Sequence, residues 1–420
     1  MWASAIAAAG EHTLVAARAG VLVLGTCGAG WKYDVPYNEE VVVAVAARCR
    51  AVQPGFGAGP PPRLSAGSFH NLAVHGGRLF SWGCDAIDEN DGQLGLGSRA
   101  EVSTPTPVGI AGRVKDAAAG AHHSLAVLES GVVLSAGAGL LGQLGRQHDF
   151  SPGSDQPVEA SDDGPCAHDS FLPVSMPLVE GESVVRVGCG YYHSLCLTSL
   201  GRLFAFGSNS HGQCGEQDIA PSLAADDHAA ASQGGGGDSG GGHGRGSDEV
   251  LRGPRLVCEL DGQTIVQAVG GYCHTLALSE DGRVWSLGGT SHGQRGGGQP
   301  SDASLAGGCG GVFRCSEVDV GGPAAAVAAG YCHSVVLRKD GAVVTFGEND
   351  SGQLGVPGDD SPWPRVVPIA ARCVAIAAGN SHTVALREDG VVLSWGSGRN
   401  GQQGGGSIED VLAPAPVALV

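Results

Sequence analysis

The stretch Gly330-Tyr-Cys-His333-Ser-Val-Val-Leu-Arg-Lys-Asp340-Gly341-Ala-Val-Val-Thr-Phe346-Gly347-Glu-Asn-Asp-Ser-Gly352-Gln-Leu-Gly355 decides the fold. It reads as a short apolar run, an Asp-Gly step, a second apolar run ending in an aromatic-Gly pair, and a Gly-rich loop. Asp-Gly between apolar runs signals a β-hairpin and predicts a type I′ turn, with positive φ at both central positions. The same order recurs around His193 with Phe206-Gly207 and Gly212-Gln-Cys-Gly215, and around His382 with Trp395-Gly396. Seven copies can be traced, anchored at His12, His70, His123, His193, His274, His333 and His382. Their spacings are 58, 53, 70, 81, 59 and 49 residues. A period near fifty built from short strands predicts a propeller of about four antiparallel strands per blade.

Outward from the motif, the chain ends predict how the ring closes. Ala413-Pro-Ala-Pro-Val-Ala-Leu-Val420 reads as the strand that opens a copy, and Ala5-Ile-Ala-Ala-Ala-Gly10 as the middle of one. The expected fold is an all-β, seven-bladed β-propeller closed by pairing of the N- and C-terminal segments in one shared blade, which removes exposed sheet edges. The whole of 1–420 is expected to be one domain. Insertions are expected at 146–177, 216–250 and 296–311, the second rich in Gly and Ser and expected to be disordered.

This pattern resembles the regulator-of-chromosome-condensation family, whose members fold as seven-bladed β-propellers. The resemblance rests on His-Ser/Thr, Asp-Gly, Trp/Phe-Gly and Gly-Gln-Leu-Gly in fixed order along nearly the whole chain. It implies fold more than function, because sites are grafted onto folds. The founding member exchanges nucleotide on a small GTPase of the Ran type, so the resemblance implies a guanine-nucleotide exchange factor as the alternative function. That member meets chromatin through a basic N-terminal tail. Here the first copy begins almost at Met1, so chromatin binding is not expected. The family's plant UV-B photoreceptor carries Gly-Trp-Arg-His-Thr at the histidine motif. Here Tyr replaces Trp, and Tyr192, Cys273 and Cys332 replace Arg, so photoreception is not expected.

Charge narrows the partners. There are 42 acidic and 24 basic residues, only three of the latter lysines, for a net charge of −18. Such a surface repels nucleic acid and anionic lipid and attracts basic protein surfaces. No apolar run is long enough to span a membrane as a helix. The 13 cysteines are scattered and odd in number, and no signal peptide is evident. They read as reduced core or near-core thiols, which points to the cytoplasm and possibly the nucleus.

No catalytic constellation stands out, and no cofactor or metal is expected. Gly237-Asp-Ser-Gly-Gly lies in a run of glycines that cannot hold an oxyanion hole. Gly396-Ser-Gly-Arg-Asn-Gly401 fits a dinucleotide fingerprint only by spacing, because no helix follows it. His70, His123, His193, His274, His333 and His382 read as structural: one per blade at equal depth suits a buried inter-strand hydrogen bond rather than a metal.

Two features read as a surface for a protein partner. Tyr191, Tyr272 and Tyr331 fill the position after the repeat Gly in three successive copies, where others carry Ser68, Ala121 and Asn380. An acidic loop carries Asp85, Asp88, Glu89 and Asp91. Tyr is enriched at interface hot spots. The expected function is therefore a non-catalytic regulatory interaction module that binds a protein partner through one face of the disc.

Overall fold

The structure is a computed structural model. It describes residues 3–10, 12–17, 20–25, 50–52, 62–83, 91–98, 100, 102–146, 167–215, 250–297, 315–404 and 407–417. These form an all-β propeller whose strands fall into seven four-stranded antiparallel sheets. In chain order, sheets 1 to 7 run between residues 3–52, 63–107, 114–174, 184–256, 265–318, 324–366 and 373–416. The helical content described is a single 3-10 turn, Cys258–Leu260. No helix among the described residues is long and apolar enough to cross a membrane.

Each sheet repeats one plan. An innermost strand rich in Ala and Gly, such as Ala324–Ala329, pairs with the histidine strand His333–Arg338. That strand pairs with Val343–Gly347, and Ser361–Val366 forms the outer edge. The histidine strands are buried along nearly their whole length, because both faces lie against neighbouring sheets.

The Trp/Phe-Gly and Gly-Gln-x-Gly elements form one joint between sheets. Phe206, Phe346 and Trp395 are fully buried. Each packs on the last Gly of the preceding sheet's loop, respectively Gly145, Gly296 and Gly355, where a Cβ would come within 2.7, 2.7 and 2.6 Å of the ring.

Three expectations need correction. The chain ends do not share a sheet: all strands of sheet 1 come from residues 3–52 and all strands of sheet 7 from 373–416. Val411–Pro416 closes its own copy as the fourth strand, pairing with Val392–Gly396. Next, the Asp-Gly hairpins are not type I′. Gly341 N donates to the Arg338 carbonyl (2.9 Å) and Arg338 N to Ala342 (2.9 Å). Only the Gly need then be left-handed (φ 88°), which is the three-residue hairpin loop ending in an αL glycine. The two-residue I′ form occurs instead at Gly76-Gly77, with φ of 60° and 79°. Finally, the insertion expected at 146–177 contains Ala167–Val174, the fourth strand of sheet 3. The segments 147–166, 216–249 and 298–314 lie outside the described residues.

Candidate functional site

The site at the disc centre is built on a ring of histidines. His12, His70, His123, His193, His274, His333 and His382 are all fully buried. Each places Nε2 against a side chain of the next sheet. The pairs are His12–Asn71 (2.6 Å), His70–Ser124 (2.7 Å), His123–Ser194 (2.9 Å), His193–Thr275 (2.8 Å), His274–Ser334 (3.0 Å) and His333–Thr383 (3.0 Å). His382 pairs with Thr13 of sheet 1 (2.9 Å).

The tautomer follows from proton bookkeeping. Ser124, Ser194, Thr275, Ser334 and Thr383 each donate their one hydroxyl proton to a Gln carbonyl of the preceding sheet, at 2.7–2.8 Å. The hydroxyl oxygen can then only accept from the histidine, so Nε2 carries the proton. Burial, the dominant effect, lowers the pKa of these histidines to about 3 to 4, so the rings are neutral. One neutral donor per sheet suits a structural tie.

The glycine three residues before the histidine is required by the ring itself. A Cβ on Gly379 would sit 1.9 Å from Cε1 of His382, and one on Gly190 would sit 2.1 Å from Cε1 of His193.

The residue after that glycine links one sheet to the next. Its amide donates to the next sheet: Tyr191 N to Gly271 O, Tyr272 N to Tyr331 O and Tyr331 N to Asn380 O, all at 3.0 Å. Asn380 N reaches Gly10 O of sheet 1 at 2.8 Å. This inner circuit brings Tyr191, Tyr272 and Tyr331 together. Tyr272 and Tyr331 stack, with centroids 4.3 Å apart and planes at 23°. Tyr191 stands edge-on to both, at 5.5 and 5.1 Å. Its hydroxyl donates to Oδ1 of Asn380 (3.1 Å), which sits three sheets away.

Tyr192 joins the cluster edge-on to Tyr191 and Tyr272, at 5.7 and 6.0 Å. Sequence reading singled out three of these four rings. The signal for the fourth was adjacency to Tyr191 in a turn whose two positions both face the axis end. All four rings are half-buried. Burial raises the pKa of Tyr192 and of Tyr331, so the phenols stay protonated at neutral pH.

Beneath the rings runs an axial cavity of about 330 Å³. The innermost strands line it with small residues, among them Ala117, Gly188, Ala268 and Ala328, and its polar groups include Asp116, Arg186 and Gln267. Tyr191 and Asn380 border it.

Of the acidic loop, Asp85, Asp88 and Glu89 lie outside the described residues. Asp91 is described: its Oδ2 lies 3.0 Å from Nδ1 of His122, whose ring packs on Phe69 at 4.9 Å. His122 and Tyr192 fill the same repeat position in sheets 3 and 4, so Asp91 borders the face that carries the tyrosines. Among the described residues no group of three His, Cys, Asp or Glu side chains is arranged to hold a metal. One cysteine departs from the expected core placement: Cys258 is exposed on the 3-10 turn.

Comparison with known proteins agrees with this geometry. The model of the regulator of chromosome condensation (RCC1) repeat matches residues 76–127, 130–197 and 340–386. A second model of the same repeat matches 184–213, 265–294, 324–353 and 373–402. The chain is 31% identical over 300 residues to the human probable E3 ubiquitin-protein ligase HERC6, covering 70% of this chain and 24% of that protein. It is 28% identical over 303 residues to the Arabidopsis thaliana ultraviolet-B receptor UVR8, covering 70% of this chain and 54% of that one. It therefore spans about a quarter and about half of these two relatives. Among solved structures, Prp20p of Saccharomyces cerevisiae superposes with a TM-score of 0.67 at 21% identity, over 100% of this chain and 87% of that one. Human WBSCR16 superposes with a TM-score of 0.65 at 23% identity, over 88% and 85%.

Proposed function

The chain belongs to the regulator of chromosome condensation (RCC1) repeat family, and on that footing we propose that it is a non-catalytic propeller that binds a protein partner through its tyrosine face. In this reading the seven sheets are seven blades of a single domain over 1–420, closed between sheets 7 and 1 through His382–Thr13 and Asn380–Gly10.

The observation that carries the reading is the convergence of Tyr191, Tyr192, Tyr272 and Tyr331 at one end of the axis. Four half-buried aromatic rings braced by their own backbone circuit form a rigid apolar platform with polar tips. Such a platform binds protein with little loss of side-chain entropy. Asp91 at its edge, and Asp85, Asp88 and Glu89 before it in sequence, supply negative charge that selects a partner with a basic patch.

The test is affinity capture with the wild-type chain and with the Tyr191→Ala/Tyr272→Ala/Tyr331→Ala variant. The reading requires a protein retained by the first and lost from the second. It fails if the two capture the same proteins equally.

The family favours a second reading, nucleotide exchange on a small GTPase. The structure of Prp20p is described together with that protein's binding to Gsp1p and histones. Release of a fluorescent GDP analogue from a panel of small GTPases separates the two. Acceleration of about a hundredfold, near 3 kcal/mol off the release barrier, makes the protein an exchange factor. Binding that GDP does not reverse, with no acceleration, leaves the interaction module.

A further inference from the structure

Cys273 and Cys332 occupy the same repeat position in sheets 5 and 6, directly after the stacked Tyr272 and Tyr331. Two links between the sheets bracket them. On one side Tyr272 N donates to Tyr331 O at 3.0 Å; on the other His274 Nε2 meets Ser334 Oγ at 3.0 Å. Held this way, the Cys332 thiol donates a hydrogen bond to the Cys273 sulfur.

Cys273 has a second donor. Gln294 Nε2 lies 3.3 Å from its sulfur, whereas the equivalent amides of Gln213 and Gln353 donate to Ser208 and Glu348. The Cys332 hydrogen bond, with that of Gln294 behind it, favours the Cys273 thiolate and holds its pKa below the ordinary thiol value. Cys332, which gives the hydrogen bond, is pushed up. One member is thus set up as a nucleophile and the other as its protonated neighbour. Both residues are 5% exposed, an opening for a small oxidant rather than for a protein.

We propose that Cys273 and Cys332 are a dithiol modification site that a hydroperoxide oxidises to a disulfide between sheets 5 and 6. The Cys273 thiolate attacks the terminal oxygen of the peroxide. The O–O bond breaks, and the departing oxygen leaves as water or an alcohol with a proton from solvent. The Cys332 sulfur then attacks the Cys273 sulfenic sulfur, losing its proton and expelling hydroxide, which leaves as water. Two thiols are oxidised by two electrons and one peroxide is reduced. A disulfide needs the Cα atoms within about 7 Å and the sulfurs at about 2.05 Å. The Tyr272–Tyr331 and His274–Ser334 links hold the turns that carry the two cysteines against each other, as a cross-link between sheets 5 and 6 requires. The site stands apart from the partner-binding reading and does not depend on it.

The experiment exposes the reduced full-length chain to equimolar hydrogen peroxide, blocks remaining thiols with an alkylating agent, and maps the peptides without reduction. The expected first product is a cross-linked Cys273–Cys332 peptide, formed ahead of oxidation at the exposed Cys258 and reversed by a dithiol. In the Cys332→Ser variant the reaction should stop at a Cys273 sulfenic acid that dimedone traps. The proposal is overturned if Cys258 is oxidised first while Cys273 and Cys332 are recovered alkylated. It is equally overturned if the wild-type chain accumulates oxidised Cys273 with no cross-link. The wild-type map decides between these outcomes even if the variant does not fold.

Discussion

Nε2 of His382 lies 2.9 Å from the hydroxyl of Thr13, a residue 369 positions away in sequence. The same histidine contact joins the other sheets to their successors, to a Ser or Thr hydroxyl in five cases and to Asn71 Oδ1 in the sixth. The first and last sheets therefore meet as ordinary neighbours, without exchange of a strand. Thr13→Val should leave the His382 Nε2–H buried without an acceptor and cost about 1–3 kcal/mol. Urea unfolding of Thr13→Val beside Thr275→Val, which breaks the His193 bond, checks this. The two losses should match, and a silent Thr13→Val would show that sheets 1 and 7 are not joined.

The glycine before each histidine makes a separable claim. Gly379→Ala drives a methyl into the His382 ring at 1.9 Å, which a buried ring hydrogen-bonded to Thr13 cannot escape. The expected cost is about 3 kcal/mol or more. Gly109→Ala, where a Cβ meets nothing within 4 Å, should change the unfolding midpoint little. Equal effects would refute the packing explanation of the motif.

Acid should unfold the protein sharply. The seven histidines have folded pKa values of about 3 to 4, below the 6.5 of the free side chain. A depressed base binds its proton more readily when unfolded. Its contribution is therefore fully present above pH 6.5 and is lost as pH falls toward 4. At pH 5 each histidine withdraws about 2 kcal/mol. Seven together withdraw on the order of 14 kcal/mol, the size of a domain's whole stability. Circular dichroism against pH should show cooperative loss between about pH 6 and 5, accompanied by proton uptake. A fold intact at pH 4 would contradict neutral, buried histidines.

Tyr191 and Asn380 tie sheets 4 and 7 across the axis through one hydrogen bond of 3.1 Å. Tyr191→Phe and Asn380→Ala should each cost about 1 kcal/mol. The double variant should cost less than the sum, because both remove the same bond. Strict additivity in urea titrations would show that the hydroxyl and the amide act independently.

Much of this was legible in the sequence because the motif is written in residues with a single physical use. Gly379 is glycine because a ring lies on it, Trp395 is aromatic because Gly355 leaves a slot, and the histidines recur because each sheet needs one buried donor. The phase of the repeat was harder to read. Val411–Pro416 looks the same whether it opens the next copy or closes its own, and only strand pairing decides. The acceptor in sheet 2 was also hidden: Asn71 stands where other sheets carry Ser or Thr, and its Oδ1 does the same work. The tyrosines could be placed on one face from their repeat position. Their contact across the axis depends on ring directions that spacing does not carry, as does the meeting of Cys273 with Cys332.

The most direct test of the central claim is the dissociation constant of the captured partner for the wild-type chain and for the Tyr191→Ala/Tyr272→Ala/Tyr331→Ala variant, with a cooperative thermal melt required of both. The account predicts a Kd at least about thirtyfold weaker, near 2 kcal/mol, in the variant. An unchanged Kd in a variant that still melts cooperatively would place the interface elsewhere on the propeller.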